Sequence, residues 1–142
     1  VPEKHRDLAP RLVRQADDSD LWLIGDNIKR PGAAADLYGG KGRDNYLPFN
    51  GRYEGTPGTG SAAQRLSEQD QDGIDAEVLF PSQQGGPKFW RRIEDDEAYK
   101  AVVRAYNSWL VEEYCPVNPD RLIGVGILPL VNNISDVIAD LD

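Results

Sequence analysis

The stretch Ile74-Asp75-Ala76-Glu77-Val78-Leu79-Phe80, which Pro81 ends, decides the fold of this chain. Its apolar residues are concentrated at its end, and this pattern predicts a short β-strand. A second run, Leu122-Ile123-Gly124-Val125-Gly126-Ile127-Leu128, is apolar on both faces, as in a strand of a parallel sheet that is buried on both sides. An amphipathic helix is predicted between the two, over residues 95–115. We therefore expect residues 74–80 and 122–128 to be adjacent parallel strands joined by that helix.

The helix predicted over residues 95–115 has the clearest periodic pattern in the chain. Acidic residues at positions 95–97 place negative charge at its N-terminus, where the helix dipole favours it. The pattern predicts that Tyr106 and Trp109 pack in the core, so that truncation of Trp109 to alanine lowers the stability of the parent protein by about 3–5 kcal/mol. The apolar residues that recur at three- and four-residue steps on this face are Ala98, Val102, Ala105, Tyr106, Trp109 and Leu110.

Further helices are predicted on both sides of this unit. Ser61 and Gln64 have capping-box spacing, and Gly73 stands where a C-terminal glycine belongs. A last helix begins within residues 133–136. The order from residue 61 is thus helix, strand, helix, strand, helix, which predicts an α/β fold with parallel strands. Because two parallel strands cannot make a covered sheet, we expect the chain to be cut out of something larger.

The part before residue 61 divides into two. The pattern of strand and turn residues over positions 1–30 predicts a small antiparallel β unit. Residues 31–60 are rich in glycine and proline and show no periodicity, so they form either a functional excursion or a disordered segment. The aromatic residues in this stretch need somewhere to pack, which argues against full disorder. The strands of the small unit are expected at residues 11–15, 21–24 and 28–30.

Charge and composition exclude several classes of function. The net charge of −8 repels phosphate backbones, so we expect no nucleic-acid partner. No run of 18 apolar residues occurs, and we expect no membrane span. The polar N-terminus is unlike a signal peptide, and the one cysteine, Cys115, fits a reducing compartment. We therefore expect a cytoplasmic protein.

Four stretches of the sequence together resemble one enzyme family. In chain order they resemble the segment after the first barrel strand, the second strand, the helix that follows it and the third strand of the amidohydrolase-related (amidohydrolase 2) proteins. That group includes the aminocarboxymuconate-semialdehyde and resorcylate decarboxylases. The stretches span nearly the whole chain: VPEKHRDLAP (1–10), QDGIDAEVLFPS (71–82), RAYNSWL (104–110) and NPDRLIGVGILPL (118–130).

The resemblance implies an N-terminal fragment of a (β/α)8 TIM-type barrel, with residues 1–142 as one partial domain. Residues 1–30 would be a small antiparallel insertion, 31–60 a loop, and 61–142 the βα units of barrel strands 2 and 3. The 142 residues are fewer than the roughly 250 of a closed barrel. The sequence contains no methionine, so we expect that it was processed or belongs to a longer protein.

The implied activity is that of a metal-dependent hydrolase acting on a small molecule, with zinc or manganese as the divalent metal. A non-oxidative decarboxylase of the same superfamily is the alternative, and a non-catalytic binding or assembly module is a third possibility from another class. A homo-oligomer is expected. In the family a first-strand motif and later histidines and an aspartate hold the metal. His5, the one histidine, lies where the family has no ligand.

The candidate substrate pocket follows from the position of the first predicted strand. In barrel enzymes substrate is bound at the C-terminal ends of the strands, which favours a pocket lined by Pro81, Ser82, Gln83, Phe89 and Trp90. The alternative for these residues is a packed loop that covers the barrel rim. Asp75 and Glu77 alternate on one face and carry carboxylates suited to acid–base work. Their place toward the start of the strand favours a structural role, and no catalytic or metal-binding residue is assigned.

We predict that residues 1–142 alone bind no catalytic metal and turn over no substrate. A catalytic zinc site takes about three protein ligands, and this chain offers one histidine and one thiol besides scattered carboxylates. The measurement is metal content after gel filtration of this polypeptide incubated with zinc or manganese. One equivalent of tightly held metal, or turnover above a blank, would contradict the prediction.

Overall fold

The computed structural model describes residues 1–26, 28–31, 53, 58–81, 86–129 and 134–139. Strands β1, β2 and β3 form an antiparallel sheet, and β4 and β5 form a separate parallel pair. The chain is therefore a mixed α/β protein. Most of the stretch predicted as a loop over 31–60 lies outside the described residues. The elements in chain order are a 3₁₀ helix (Glu3–Leu8), β1 (Arg11–Arg14), β2 (Asp20–Ile24), β3 (Ile28–Pro31), α1 (Ala62–Asp72), β4 (Glu77–Leu79), α2 (Pro87–Trp90), α3 (Asp96–Trp109), a π-helical turn (Leu110–Tyr114), a 3₁₀ turn (Cys115–Val117), β5 (Leu122–Gly124) and α4 (Ile134–Ala139).

The antiparallel sheet confirms the small unit predicted near the N-terminus. Its first hairpin pairs Arg14 with Asp20 next to the turn. The carboxylate of Asp17 accepts hydrogen bonds from the backbone N–H and the hydroxyl of Ser19, at 3.1 and 2.6 Å. Asp18 takes a positive φ of 66°, a conformation that aspartate tolerates better than most residues. The acidic run that predicts the turn therefore closes it through side-chain bonds to the backbone.

A buried carboxylate connects this sheet to residue 53. Asp20 is 3% exposed, and one of its oxygens accepts from Arg14 Nε at 2.7 Å. Its other oxygen accepts from the backbone N–H of Tyr53 at 2.7 Å. The Tyr53 hydroxyl in turn accepts from Trp22 Nε1 at 3.0 Å. Because a buried charge must be paired and hydrogen-bonded, Asp20 stabilises the attachment of Tyr53 to β2.

The caps predicted for the helix after residue 61 are present on α1. The Ser61 hydroxyl accepts from the N–H of Gln64 at 3.3 Å. Gly73 ends the helix in the left-handed conformation, with φ of 70°, and its N–H bonds to the carbonyl of Gln69. Glycine takes this conformation without the steric cost that a Cβ would bring. The Gln64 side chain bonds to Glu68 at 2.7 Å.

The core is formed mainly by α3, by α2 and by the turn that follows α2, and Ile24 of β2 completes it. On α3 the buried face includes Tyr99 and Val103, which are 1% and 0% exposed. The prediction that Trp109 is a core residue is wrong, because Trp109 is 41% exposed. The apolar stripe of α3 is centred closer to Tyr99 than the three- and four-residue spacing suggested, which leaves Trp109 at its margin. The buried cluster consists of Ile24, Phe89, Ile93, Ala98, Tyr99, Val102 and Val103.

The predicted parallel pairing of the two apolar runs is confirmed. The strands β4 and β5 pair in parallel from Glu77↔Leu122 to Leu79↔Gly124. The paired region covers three residues on each strand, so it is shorter than residues 74–80 and 122–128. Burial on both faces is not found in this chain: Val78 and Ile123, which are paired with each other, are 49% and 48% exposed. One face of the pair is thus apolar and uncovered.

A π-helical turn packs closely under β5. The predicted helix over 95–115 is α-helical only as far as Trp109 and then widens over Leu110–Tyr114. Leu110 is 3% exposed and lies against Gly124, where an added Cβ would stand 2.6 Å from Leu110 Cδ2 and 2.9 Å from Cys115 Sγ. Position 124 therefore requires glycine for close approach rather than for backbone conformation.

We predict different costs for truncating two aromatic residues of α3. Tyr99→Ala should lower the free energy of unfolding by about 3–5 kcal/mol, the usual cost of truncating a large buried side chain. Trp109→Ala should cost about 1 kcal/mol, because its ring is already partly in solvent. Chemical denaturation of both variants measures the difference. Equal losses would contradict the placement of the core.

We also predict that the two glycines around the end of β5 respond differently to alanine. Gly124→Ala should cost about 1–3 kcal/mol, because the new methyl group overpacks against Leu110 and Cys115. Gly126→Ala is the matched control. A Cβ there lies 3.5 Å from Asn107 Oδ1, an ordinary contact. Thermal melts of both variants test this, and an unchanged melting temperature for Gly124→Ala would refute the close approach.

Candidate functional site

The carboxyl-terminal edge of the parallel pair is the candidate site. β4 leads there into Phe80, which is 74% exposed, and then into the half-buried Pro81. The last bond between the two segments runs from the N–H of Val125 to the carbonyl of Leu79, at 3.0 Å. Both strands therefore deliver their following segments to one edge, as strands do in barrel enzymes.

A single side chain fixes the segment after β5 against α3. Asn107 donates from Nδ2 to the carbonyl of Ile127 at 2.8 Å, and its Oδ1 accepts from the N–H of Ile127 at 2.9 Å. Ile127 packs against the core cluster, and Pro129 is buried. The chain thus leaves the parallel ladder after Gly124 and continues along the helix.

The five residues of the predicted pocket are distributed over different environments. Pro81 is half-buried at the end of β4, and Ser82 and Gln83 lie outside the described residues. Phe89 is 3% exposed in the core cluster, where it packs with α3 and the antiparallel sheet. Trp90 is half-buried, with its ring centroid 5.4 Å from that of Tyr106. A substrate-lining role for these residues remains a prediction.

Trp90 begins a row of aromatic rings along α3 and the π turn. Tyr106 lies 6.1 Å from Trp109, and Trp109 lies 4.9 Å from Tyr114, measured between centroids. Burial raises the pKa of both tyrosine hydroxyls above the ordinary value. Both phenols therefore stay neutral near pH 7, and the row is an uncharged, apolar flank.

The carboxylate of Glu77 pairs with α1 at the opposite, amino-terminal edge. Arg65 donates from Nε and Nη2 to its two oxygens at 2.5 and 2.6 Å. These hydrogen bonds hold the pKa of Glu77 below its ordinary value, and burial opposes them in part. The Glu77 side chain is 16% exposed. This geometry supports the structural role expected for Glu77, because a carboxylate engaged by both oxygens is a poor proton acceptor.

Arg121 closes the same edge just before β5. It donates from Nε to the carbonyl of Asp75 at 2.9 Å and from Nη2 to that of Ile74 at 3.1 Å. Its Nη1 lies 2.8 Å from a carboxylate oxygen of Asp70. These groups, with Gln69 and Gly73, line an open cavity of about 430 Å³. The guanidinium of Arg121 donates to two backbone carbonyls and pairs with Asp70. We therefore assign it a structural role at this edge and not a ligand-binding one.

The described residues do not fit a divalent metal. His5 is half-buried in the 3₁₀ helix at the N-terminus, and Cys115 is half-buried near Gly124. Within the described ranges no group of three or more histidine, cysteine, aspartate or glutamate side chains is placed to hold a metal ion. A catalytic zinc site takes about three such ligands.

Sequence reasoning missed several residues that determine this geometry. Arg65 and Glu77 are twelve positions apart and lie on different elements, so no local pattern connects them. The contacts of Arg121 with residues 74 and 75 join distant parts of the chain. For Asn107 the sequence does offer a signal. Asparagine has a poor helix propensity, yet it stands inside a predicted helix beside the apolar face.

Comparison with known proteins adds no assignment. No protein-family model matches the sequence, and no curated protein matches it. In the part of the chain that the structure describes, there is no helix with the length and apolar character needed to cross a membrane.

We predict that the Arg65–Glu77 pair makes stability depend on pH. Since the folded pKa of Glu77 lies below its ordinary value of 4.5, its contribution is fully present above about pH 4.5 and is lost as the pH falls through the folded pKa. Glu77→Gln should cost about 1–2 kcal/mol at pH 7 and progressively less in acid. Denaturant titrations from pH 7 to 3 measure this, with Glu113→Gln at an exposed position as the control. A loss that stays constant with pH would refute the pairing.

Proposed function

We propose that this chain is part of a metal-dependent hydrolase of the amidohydrolase superfamily that acts on a small molecule. In this proposal β4 and β5 are the second and third strands of a (β/α)8 barrel, and residues 11–31 are an antiparallel insertion. The chain itself would supply a wall of the barrel and part of its substrate-binding edge, and the parent protein would be cytoplasmic and homo-oligomeric.

The observation that carries the proposal is the parallel pairing of β4 with β5. The register Glu77↔Leu122 joins the two stretches that resemble consecutive barrel strands, and α3 lies between them in the sequence. A parallel pair needs a long connection, usually a helix. All-parallel sheets occur almost only with both faces covered, and this pair of three-residue strands leaves one face open.

The uncovered face of the pair supports a barrel, in which side chains of the other strands would cover it. Val78 and Ile123 are about half exposed, and Phe80 is 74% exposed. The opposite face carries Leu122, which is 1% exposed, and Gly124, which lies against Leu110 although the glycine itself is exposed. In a barrel the outer face contacts helices and the inner face is filled by bulky apolar side chains. The two faces of this pair match that division.

The ligands of the metal that the proposal requires are not among the described residues, whose donor groups are not placed to hold such an ion. Its ligands would lie elsewhere in the parent protein, and no chemical step is assigned to this chain. What the chain contributes is positional: the end of β4 and the segment fixed by Asn107 share the edge at which substrate is expected.

The test is metal analysis and activity measurement on the complete polypeptide that carries this sequence. The protein is purified without affinity metals, its zinc and manganese content is determined after gel filtration, and it is incubated with a panel of esters, lactones and amides. A second panel of unsaturated and aromatic carboxylic acids is followed for release of carbon dioxide. Chelator-treated protein, with and without added metal, is the control.

Metal-dependent hydrolysis would support the proposal. Metal-dependent release of carbon dioxide without hydrolysis would instead assign the decarboxylase alternative. A folded, metal-free polypeptide that turns over neither panel would overturn both enzyme assignments and favour the binding or assembly module.

We also predict that the uncovered face is buried in the complete polypeptide. Val78→Asp should lower its free energy of unfolding by about 3 kcal/mol or more, because an unpaired charge would enter the barrel interior. Val111→Asp is the matched control: Val111 is 70% exposed on the π turn, and its change should stay within about 0.5 kcal/mol. Denaturant unfolding of both variants decides the matter. Similar small losses would argue against a barrel interior at this face.

A further inference from the structure

We propose that Asn107 is a positioning residue, whose side-chain amide ends the β4–β5 ladder and fixes residues 125–129 at the carboxyl-terminal edge. The relevance of that edge to substrate rests on the proposed function. The anchoring itself rests on the geometry of this chain.

The side-chain amide of Asn107 makes the two backbone hydrogen bonds with Ile127 that a neighbouring strand would otherwise make. It donates to the carbonyl of Ile127 at 2.8 Å and accepts from the N–H of the same residue at 2.9 Å. In an antiparallel ladder, opposed residues satisfy each other's N–H and carbonyl in the same reciprocal way. Ile127 therefore has both backbone groups satisfied without a strand partner.

The position of this contact explains where the parallel ladder ends. The N–H of Val125 still bonds to the carbonyl of Leu79. Two residues later the chain is held by α3 instead, and Gly126 passes the Asn107 amide with room for little more than a methyl group. Without the amide, the polar groups of Ile127 would have to find another partner or water. The Asn107 side chain thus holds the backbone of this segment at Ile127, just past the end of the ladder.

Near neutral pH an amide side chain of this length meets both requirements. A leucine of similar size has neither donor nor acceptor. A carboxylate accepts from the N–H but cannot donate to the carbonyl, whereas a protonated carboxylic acid does both. Substitution by aspartate therefore turns the anchor into one that makes both hydrogen bonds only when protonated.

The experiment is hydrogen–deuterium exchange on the complete polypeptide, read by mass spectrometry in peptides that cover residues 125–129 and, as an internal reference, residues 98–103 of α3. Asn107→Leu should speed exchange in the first peptide by about tenfold, the loss expected for two hydrogen bonds, with the reference unchanged. Ser108→Ala, at an exposed neighbouring position, is the control and should alter neither peptide.

The Asn107→Asp variant supplies a readout that a merely structural role would not give. At pH 7 residues 125–129 should exchange faster than in the wild type but more slowly than in Asn107→Leu, because the carboxylate still accepts from the Ile127 N–H and cannot donate to its carbonyl. Toward about pH 4, where the introduced carboxyl group gains its proton, protection relative to the wild type at the same pH should return. This comparison remains decisive if Asn107→Leu does not fold.

Wild-type exchange in Asn107→Leu, equal loosening of residues 98–103, or no recovery of Asn107→Asp in acid would each overturn the proposal. Metal content is measured on the same preparations. A metal-free, inactive polypeptide with the expected exchange pattern would defeat the proposed function and leave the anchoring role of Asn107 intact.

Discussion

The parallel ladder between β4 and β5 is the constraint on which the rest of this chain depends. It brings together two segments that are far apart in sequence, and parallel strands can be joined only through a long crossover. The capped helix α3, the π turn beneath Gly124 and the turn that carries Arg121 all belong to that crossover. Each adjusts the path of the chain so that Leu122 returns beside Glu77.

The two edges of the ladder are stabilised by different chemistry. At the amino-terminal edge, charged side chains fasten the strands to α1: Arg65 holds Glu77, and Arg121 holds two carbonyls and Asp70. At the opposite edge, the described contacts are an amide with a backbone residue and packed apolar rings, and Phe80 is left open.

Much of the fold could be predicted from the sequence because its signals are local. The caps at Ser61 and Gly73, the acidic N-terminus of α3 and the two apolar runs depend on neighbouring residues, and the structure confirms them. Trp109 was misplaced because periodicity defines a stripe but not its exact centre, and here Tyr99 lies nearer that centre. The change from α to π geometry after Trp109 has no signal in the helix pattern, and the π turn packs against Gly124, which is distant in sequence.

The candidate site was less predictable, because its chemistry depends on contacts between distant residues. Phe89 is predicted to line the pocket because it follows the end of a strand; the structure packs it in the core with Ile24 and Val102, and its substrate-lining role stays a prediction. The sequence shows only that an aromatic residue follows a predicted strand. Whether its side chain is buried depends on which other elements pack against it. Asn107 shows the reverse case: its place in a helix suggests nothing special, but the return of the chain at Ile127 gives its amide two partners. Residues with functional consequences in such a crossover are therefore best sought among polar side chains that satisfy the backbone of another segment. There the loss of one side chain changes the path of the chain and not only its stability.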